Sequence, residues 1–260
     1  IDRFLAKGRI NFPDEVVFGR ALVQSMNTAK PSSDKVEVEI DHKAIRTIIE
    51  TSKEGYLSPI EIQGLLTAAG IPTVQELTID KAADLNQAIE KLGFPLVMKV
   101  VGPVHKSDVG GVVLNVNSAE MAMHEFNRLL SIEDATAVLL QQQLSGQEWF
   151  IEAKEEGEFG NIVMCGLGGI FIEVLKDVQA GIAPLTKSEA ISMVNSLRGR
   201  KLLDGVRGEA GVNVESYIDC IQRVSALVDA APEIAEMDLN PLLGTPKDVI
   251  AVDARIRIKF

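Results

Sequence analysis

An α+β fold is what this chain predicts, and three observations predict it. Segments with apolar residues at helical spacing recur along its length. Short β-branched runs lie between them, often in pairs. The two kinds do not alternate as a strict strand–helix–strand series, which speaks against a purely parallel sheet. The 260 residues are 46% hydrophobic and 24% charged, enough apolar side chain for one large domain or two small ones.

Taken in order, residues 1–27 read as a short strand and then a helix beginning near Pro13. That unit is too small to bury its own apolar face. The polar stretch NTAKPSSDKVEVE, with Pro and Ser, reads as a linker. KAIRTIIETSKE and EIQGLLTAAG follow as helices, the second closed by Gly70. Asp80 is placed to cap DKAADLNQAIEKLG, where Leu85, Ile89 and Leu92 share a face. LVMKVV and VVLNV are strand-like, Ser118 precedes the helix AEMAMHEFNRLL, and ATAVLLQQQL is a further strand. WFIEA and NIVMCGLGGIFIEVL continue the strands. Thr186 and Glu189 spell a capping box before KSEAISMVNSL, ESYIDCIQRVSALVDA is an amphipathic helix, and EIAEMDL and DVIAVDA close the chain as strands.

The formal charge of −11 argues against nucleic acid as the main partner, because phosphate backbones need a basic face. No apolar run approaches the roughly 18–20 residues that span a bilayer, so a soluble, intracellular protein with no membrane partner is expected. Cys165 and Cys220 belong to no CxxC or Cys/His array and are expected as buried free thiols. The first residue is Ile1, not Met, which raises the expectation that the chain is a piece of something longer.

Lys99 lies inside an apolar strand, on the face opposite Met98 and Val100. It is either an edge lysine snorkelling outward or an ammonium that meets an anion, since an unpaired buried charge is costly. VHKSDVGG then brings His105, Lys106, Ser107 and the pair Gly110–Gly111 into one loop. Such a loop can approach an oxyanion with backbone N–H groups, but it is not a P-loop. In EMDLNPL, Asp238 and Asn240 share a strand face, and Asp253 falls on the next strand. Oxygen donors across a hairpin suit Mg²⁺; an ordinary Asn-Pro turn also explains the motif. QQQLSGQEW places Gln141, Gln142 and Glu148 around a turn, as either a polar hairpin or a site for a base and a ribose. His42 and His124 have only linker and helix-surface contexts.

The ordered series VMKVV, HKSDVGGV, QQQLSGQE, MCGLGGIFIEVLKDV, IAPL, LLDGVRGE, EMDLNPL and VIAVDAR resembles the ATP-grasp part of the nucleoside-diphosphate-forming acyl-CoA synthetases. That family includes the ADP-forming acetyl-CoA synthetases and is related to succinyl-CoA synthetase. The likeness runs from about residue 43 to the end. It implies an ATP-grasp fold of two α+β lobes, about 43–140 and 141–260, with the nucleotide between them. Residues 1–30 would be the end of a preceding CoA-ligase-type domain, and 31–42 the linker.

By the same resemblance, Lys99 neutralises ATP or ADP phosphates, with Lys106, Ser107, Gly110 and Gly111 in a covering loop. Gln141 and Gln142 fall at the adenine hinge and Glu148 at the ribose. Asn240 and Asp253 hold Mg²⁺, His105 carries or contacts a phosphoryl group, and Asp238 is the acid beside the phosphorylated histidine. The implied activity converts acyl-CoA, ADP and phosphate to acid, CoA and ATP. It needs CoA-binding and ligase domains on the same chain or another subunit, in a homo- or hetero-oligomer of the cytoplasm. The alternative is a nucleotide-sensing module without synthesis, as in relatives fused to an acetyltransferase.

Overall fold

The computed structural model describes every residue except Ile1, 28–31, Glu37, 104–108, 170–176, Arg207 and Glu209. It divides into two compact units, Ile1–Ser33 and Asp34–Phe260. The smaller contains helices α1 (Asp2–Leu5) and α2 (Glu15–Asn27). The strand expected at the start is thus a helical turn: DRFLAK has no β-branched run to favour extension, and Ala6 N–H donates to Asp2 O at 2.8 Å. Asp14 caps the second helix by accepting from Val17 N–H at 2.8 Å. No residue of either helix is buried.

The larger unit runs α3 (His42–Thr51), β1 (Gly55–Tyr56), α4 (Pro59–Ala68), β2 (Glu76–Ile79), α5 (Leu85–Leu92), β3 (Leu96–Val101), β4 (Val112–Val116), α6 (Ala119–Leu130) and β5 (Ala137–Gln142). It continues β6 (Gln147–Glu155), β7 (Asn161–Leu167), β8 (Val178–Ile182), α7 (Lys187–Ser196), α8 (Arg200–Leu203), α9 (Val214–Ala230), β9 (Ile234–Gly244), β10 (Val249–Ala251) and β11 (Ala254–Ile258). The Ser118 cap and the Thr186–Glu189 capping box form as expected. Asp80 does not cap α5, because a 3-10 turn at Ala82–Asp84 intervenes before that helix and its N-cap, Asp84, makes no side-chain cap bond.

Two antiparallel sheets result. Four strands lie in the order β2-β5-β3-β4; the larger sheet has the order β1-β11-β9-β6-β7-β8, with β10 also pairing β9. Each has its own core. Helices α5 and α6 cover one face of the small sheet through Leu85, Leu92, Phe126 and Leu129, which meet Leu96, Met98, Val100 and Leu140. The larger core joins α3, α4 and α9 to Ile151, Met237, Leu239 and Ile256. Residues 42–71, read from sequence as the beginning of the first lobe, therefore contribute Ile45, Ile49, Leu65 and Ile71 to the core of the second. Their apolar stripe has the right period but cannot say which sheet it will cover.

The segment 143–146 carries the chain from the small sheet to the large one. Thr73 bridges to Ala251, and Ala251 N–H donates to Pro72 O at 2.9 Å, so the hairpin β9–β10 is tied to the segment leading into β2. The site lies where this junction meets the second face of the small sheet. Among the described residues, no helix is long and apolar enough to cross a membrane.

Candidate functional site

Strand alternation turns Lys99 away from the α5/α6 core, and its register neighbour Leu139 points the same way. The lysine does not snorkel: it is 7% exposed. Its Nζ donates to Val252 O at 2.7 Å and to Asp253 Oδ1 at 3.1 Å. A carbonyl and a carboxylate offset the cost of taking an ammonium out of water. Gln141, two residues along the same face of β5, donates from Nε2 to the same Val252 O at 3.1 Å. Its Oε1 is buried and accepts no hydrogen bond among the described residues. A buried acceptor left open in this way calls for a ligand donor or water.

Asp253 is not on a strand. It sits between β10 and β11, where the backbone turns and its side chain stays about a third exposed. Asn240 N–H donates to Asp253 O at 3.2 Å, which brings β9 against that turn. Asp238 and Asn240 are both half-buried between fully buried Met237 and Leu239. The oxygen donors of Asp253 and Asn240 suit a hard divalent cation. No group of three or more His, Cys, Asp or Glu side chains converges among the described residues.

Beside this pair runs a row of charges of which the sequence singles out only Asp238. Register places Glu152 opposite Asp238 on one side and Arg255 opposite it on the other. Arg255 Nη2 donates to Asp238 Oδ2 at 2.9 Å. Burial raises the pKa of Asp238, Arg255 opposes the rise, and the charges of Asp253 and Glu236 add to it. Burial likewise raises that of Glu152, helped by Asp238 and Glu236. The signal was present: Glu152 alternates with Ile151 and Ala153, and Arg255 with Ile256, marking an open face over a buried one. A cavity of about 130 Å³ opens next to this row, lined among others by Tyr56, Gln63, Glu76, Val101, Asp253 and Arg255.

The remaining expected residues are spread more widely. His105, Lys106 and Ser107 lie outside the described residues. Gly110 has φ +64° and its carbonyl accepts from Arg128 Nη1 at 3.0 Å, while Gly111 O accepts from Val100 N–H at 2.8 Å. The glycine pair is therefore anchored at the end of β3 that follows Lys99. Gln142 ends β5 exposed, and Glu148 stands exposed near the start of β6. A Cβ on Gly169, at φ +60°, would collide with the Glu148 carboxylate, so that glycine keeps room for it. Lys99, Gln141, Asp253 and the backbone of Asn240 come together; Gln142 and Glu148 mark the crossing between the sheets.

Known proteins resemble this chain over most of its length. Residues 49–258 match the ATP-grasp domain family. The acetate–CoA ligase (ADP-forming) II of Archaeoglobus fulgidus is 41% identical over 199 residues, 75% of this chain and 29% of that protein. The beta subunit of acetate–CoA ligase (ADP-forming) I of Pyrococcus furiosus is 35% identical over 223 residues, 81% of this chain and 96% of that subunit. This chain thus spans under a third of the first and nearly all of the second. A solved structure of the dinucleotide forming acetyl-coenzyme A synthetase 1 of Ca. Korarchaeum cryptofilum aligns with TM-score 0.71 and 34% identity, covering 84% of this chain and all of that one. It was solved with coenzyme A and Mg-AMPPCP, its phosphohistidine segment pointing towards the nucleotide binding site.

Proposed function

We propose that this chain, which belongs to the ATP-grasp domain family and matches the beta subunit of ADP-forming acetate–CoA ligases, is the nucleotide-binding phosphotransfer part of an ADP-forming acyl-CoA synthetase. The observation that carries the reading is the buried Lys99, held by Val252 O and Asp253 beside a Gln141 whose Oε1 is left open. A buried ammonium aimed at a carboxylate, next to an unfilled acceptor, suits a ligand with phosphates at one end and an amino-bearing base at the other.

In this reading the enzyme converts acyl-CoA, ADP and phosphate to acid, CoA and ATP. Lys99 neutralises phosphate charge, and Gln141 Oε1 accepts from the adenine amino group, with Gln142 at the hinge and Glu148 at the ribose. Asn240 and Asp253 hold Mg²⁺, which supplies charge neutralisation at the transferring phosphoryl group. Lys106, Ser107 and the Gly110–Gly111 pair cover the phosphates. His105 receives or contacts the phosphoryl group, with Asp238 as the neighbouring acid. Catalysis by such residues is mainly positioning and electrostatics.

The acyl and CoA steps belong to further domains, on the same chain or on another subunit, in an oligomeric enzyme of the cytoplasm. Residues 1–30 end such a domain, 31–42 link it, and 43–260 form the ATP-grasp part. Isothermal titration of the chain with Mg-ATP and Mg-ADP tests the core of this. Binding by the wild type and its loss in Lys99→Ala are expected. No heat and no thermal stabilisation at millimolar nucleotide would refute the reading.

A further inference from the structure

Resting on the ribose role given to Glu148 above, we propose that Gly169 is the positioning residue for that carboxylate. Its missing side chain then decides how strongly the protein discriminates a ribonucleotide from one without the vicinal hydroxyls.

The observations are steric. Strand β7 ends at Leu167, opposite Trp149 of β6, and the next two residues run on past Glu148. Gly168 N–H donates to Glu148 O at 2.9 Å. A Cβ on Gly168 would lie 2.8 Å from Trp149 O and 3.0 Å from Glu148 C, so the two backbones pass at a distance that suits glycine. Gly169 stands one step further along. Its φ of +60° is in the left-handed region, and a Cβ there would collide with Glu148 Oε2 and stand 3.3 Å from Glu148 Cδ. The first glycine therefore fixes the backbone of the glutamate, and the second leaves the space that its carboxylate fills.

Among the described residues the Glu148 side chain makes no hydrogen bond or ion pair. Both of its oxygens are open as acceptors, which is what a pair of neighbouring hydroxyls requires. A long exposed side chain loses rotamer freedom when it binds, and confining it beforehand lowers that cost. The collision at Gly169 is with the far end of a flexible chain. A methyl group added there costs the fold little through contact and falls instead on the placing of the carboxylate. That separates a positioning role from a structural one.

The test measures by calorimetry the ratio of Mg-ATP to Mg-2′,3′-dideoxy-ATP affinity in the wild type, Glu148→Ala, Gly169→Ala and the double variant. Gly157→Ala is the control. Its φ of +51° imposes a similar left-handed strain in the turn between β6 and β7, and nothing lies within 4 Å of a Cβ there. The wild type should prefer the ribonucleotide about tenfold or more, the worth of a hydrogen bond to a charged group. Gly169→Ala should bring the ratio close to that of Glu148→Ala, with no further loss in the double variant. Gly157→Ala should lower Tm comparably and keep the wild-type ratio.

Thermal melts check that each variant is folded. If Gly169→Ala is not, Gly169→Asn carries the test, because asparagine tolerates the left-handed region better. A wild-type ratio in the folded Gly169 variant, where Glu148→Ala loses the preference, overturns the inference and spares the ribose role. An equal loss in Gly157→Ala also overturns it, since strain alone would then suffice. A wild-type ratio in Glu148→Ala refutes the ribose role itself, and the inference with it.

Discussion

Leu96, Met98, Val100, Val138 and Leu140 are buried on one face of the four-stranded sheet, against α5 and α6. On the other face of the same two strands, Lys99 and Gln141 are buried against Val252 and Asp253. Burial is nearly equal on the two faces, but the second mixes this polar pair with buried Val97 and Leu139, whereas the first is apolar throughout. The first face removes apolar area from water, at about 25 cal/mol per Å². The second hides an ammonium and an amide whose partners only offset the cost of burying them. The helix side is uniformly apolar, and the side that meets the larger sheet carries the polar pair that the proposed function assigns to the nucleotide.

The contrast is sharpest at Phe126, which is 1% exposed in the helix-side core. Phe126→Ala should cost about 3–5 kcal/mol, lowering Tm by on the order of 10 °C, while Mg-ATP affinity measured well below the transition stays within about twofold. A large loss of affinity with little loss of stability would mean that the faces had been assigned the wrong way round.

On the opposite face, Lys99→Met should weaken Mg-ATP at least about a hundredfold, or about 3 kcal/mol, with Tm changed by only a few degrees. Stability is spared because Asp253 is partly exposed and Gln141 still donates to Val252 O. Calorimetry and thermal melts on the same sample separate the two effects. Gln141→Leu is smaller still. It removes an unmet buried acceptor, so stability of the ligand-free protein should hold within about 1 kcal/mol, and nucleotide affinity should drop about tenfold.

The smallest effect concerns Glu152, whose pKa burial raises above its unfolded value. A carboxyl with a raised folded pKa binds its proton more tightly in the native state. Its favourable contribution is present below the unfolded pKa and is lost as pH rises through the folded one. Glu152→Gln should therefore gain on the wild type as pH rises through and above the carboxylate range, by less than about 1 kcal/mol on this half-open face. Chemical denaturation across pH 4 to 7 reads the difference, and a gain that grows toward acid would contradict the assigned cause.

Much of this was legible residue by residue. Lys99 inside LVMKVV, Asp238 and Asn240 in EMDLNPL, and the Thr186–Glu189 box could be read because period and turn chemistry are local properties. The short strand Ala254–Ile258 escaped notice because its alternating arginines look polar until a core lies beneath Ile256 and Ile258. Glu152 and Arg255 were missed for a related reason. Each has meaning only opposite Asp238, and cross-strand register is a long-range fact.

By itself, then, the order of residues determined the α+β class, most helix starts, and the family likeness that names candidate ligands for phosphate and metal. Tertiary structure alone decided that Lys99 is buried and bonded to Val252 and Asp253, some 150 residues away. It also decided that residues 42–71 serve the larger core, and that Arg255 and Glu152 flank Asp238. Period and capping depend on neighbours a few positions apart; which apolar face covers which sheet, and which charges end up side by side, depends on chain closure that no local window contains.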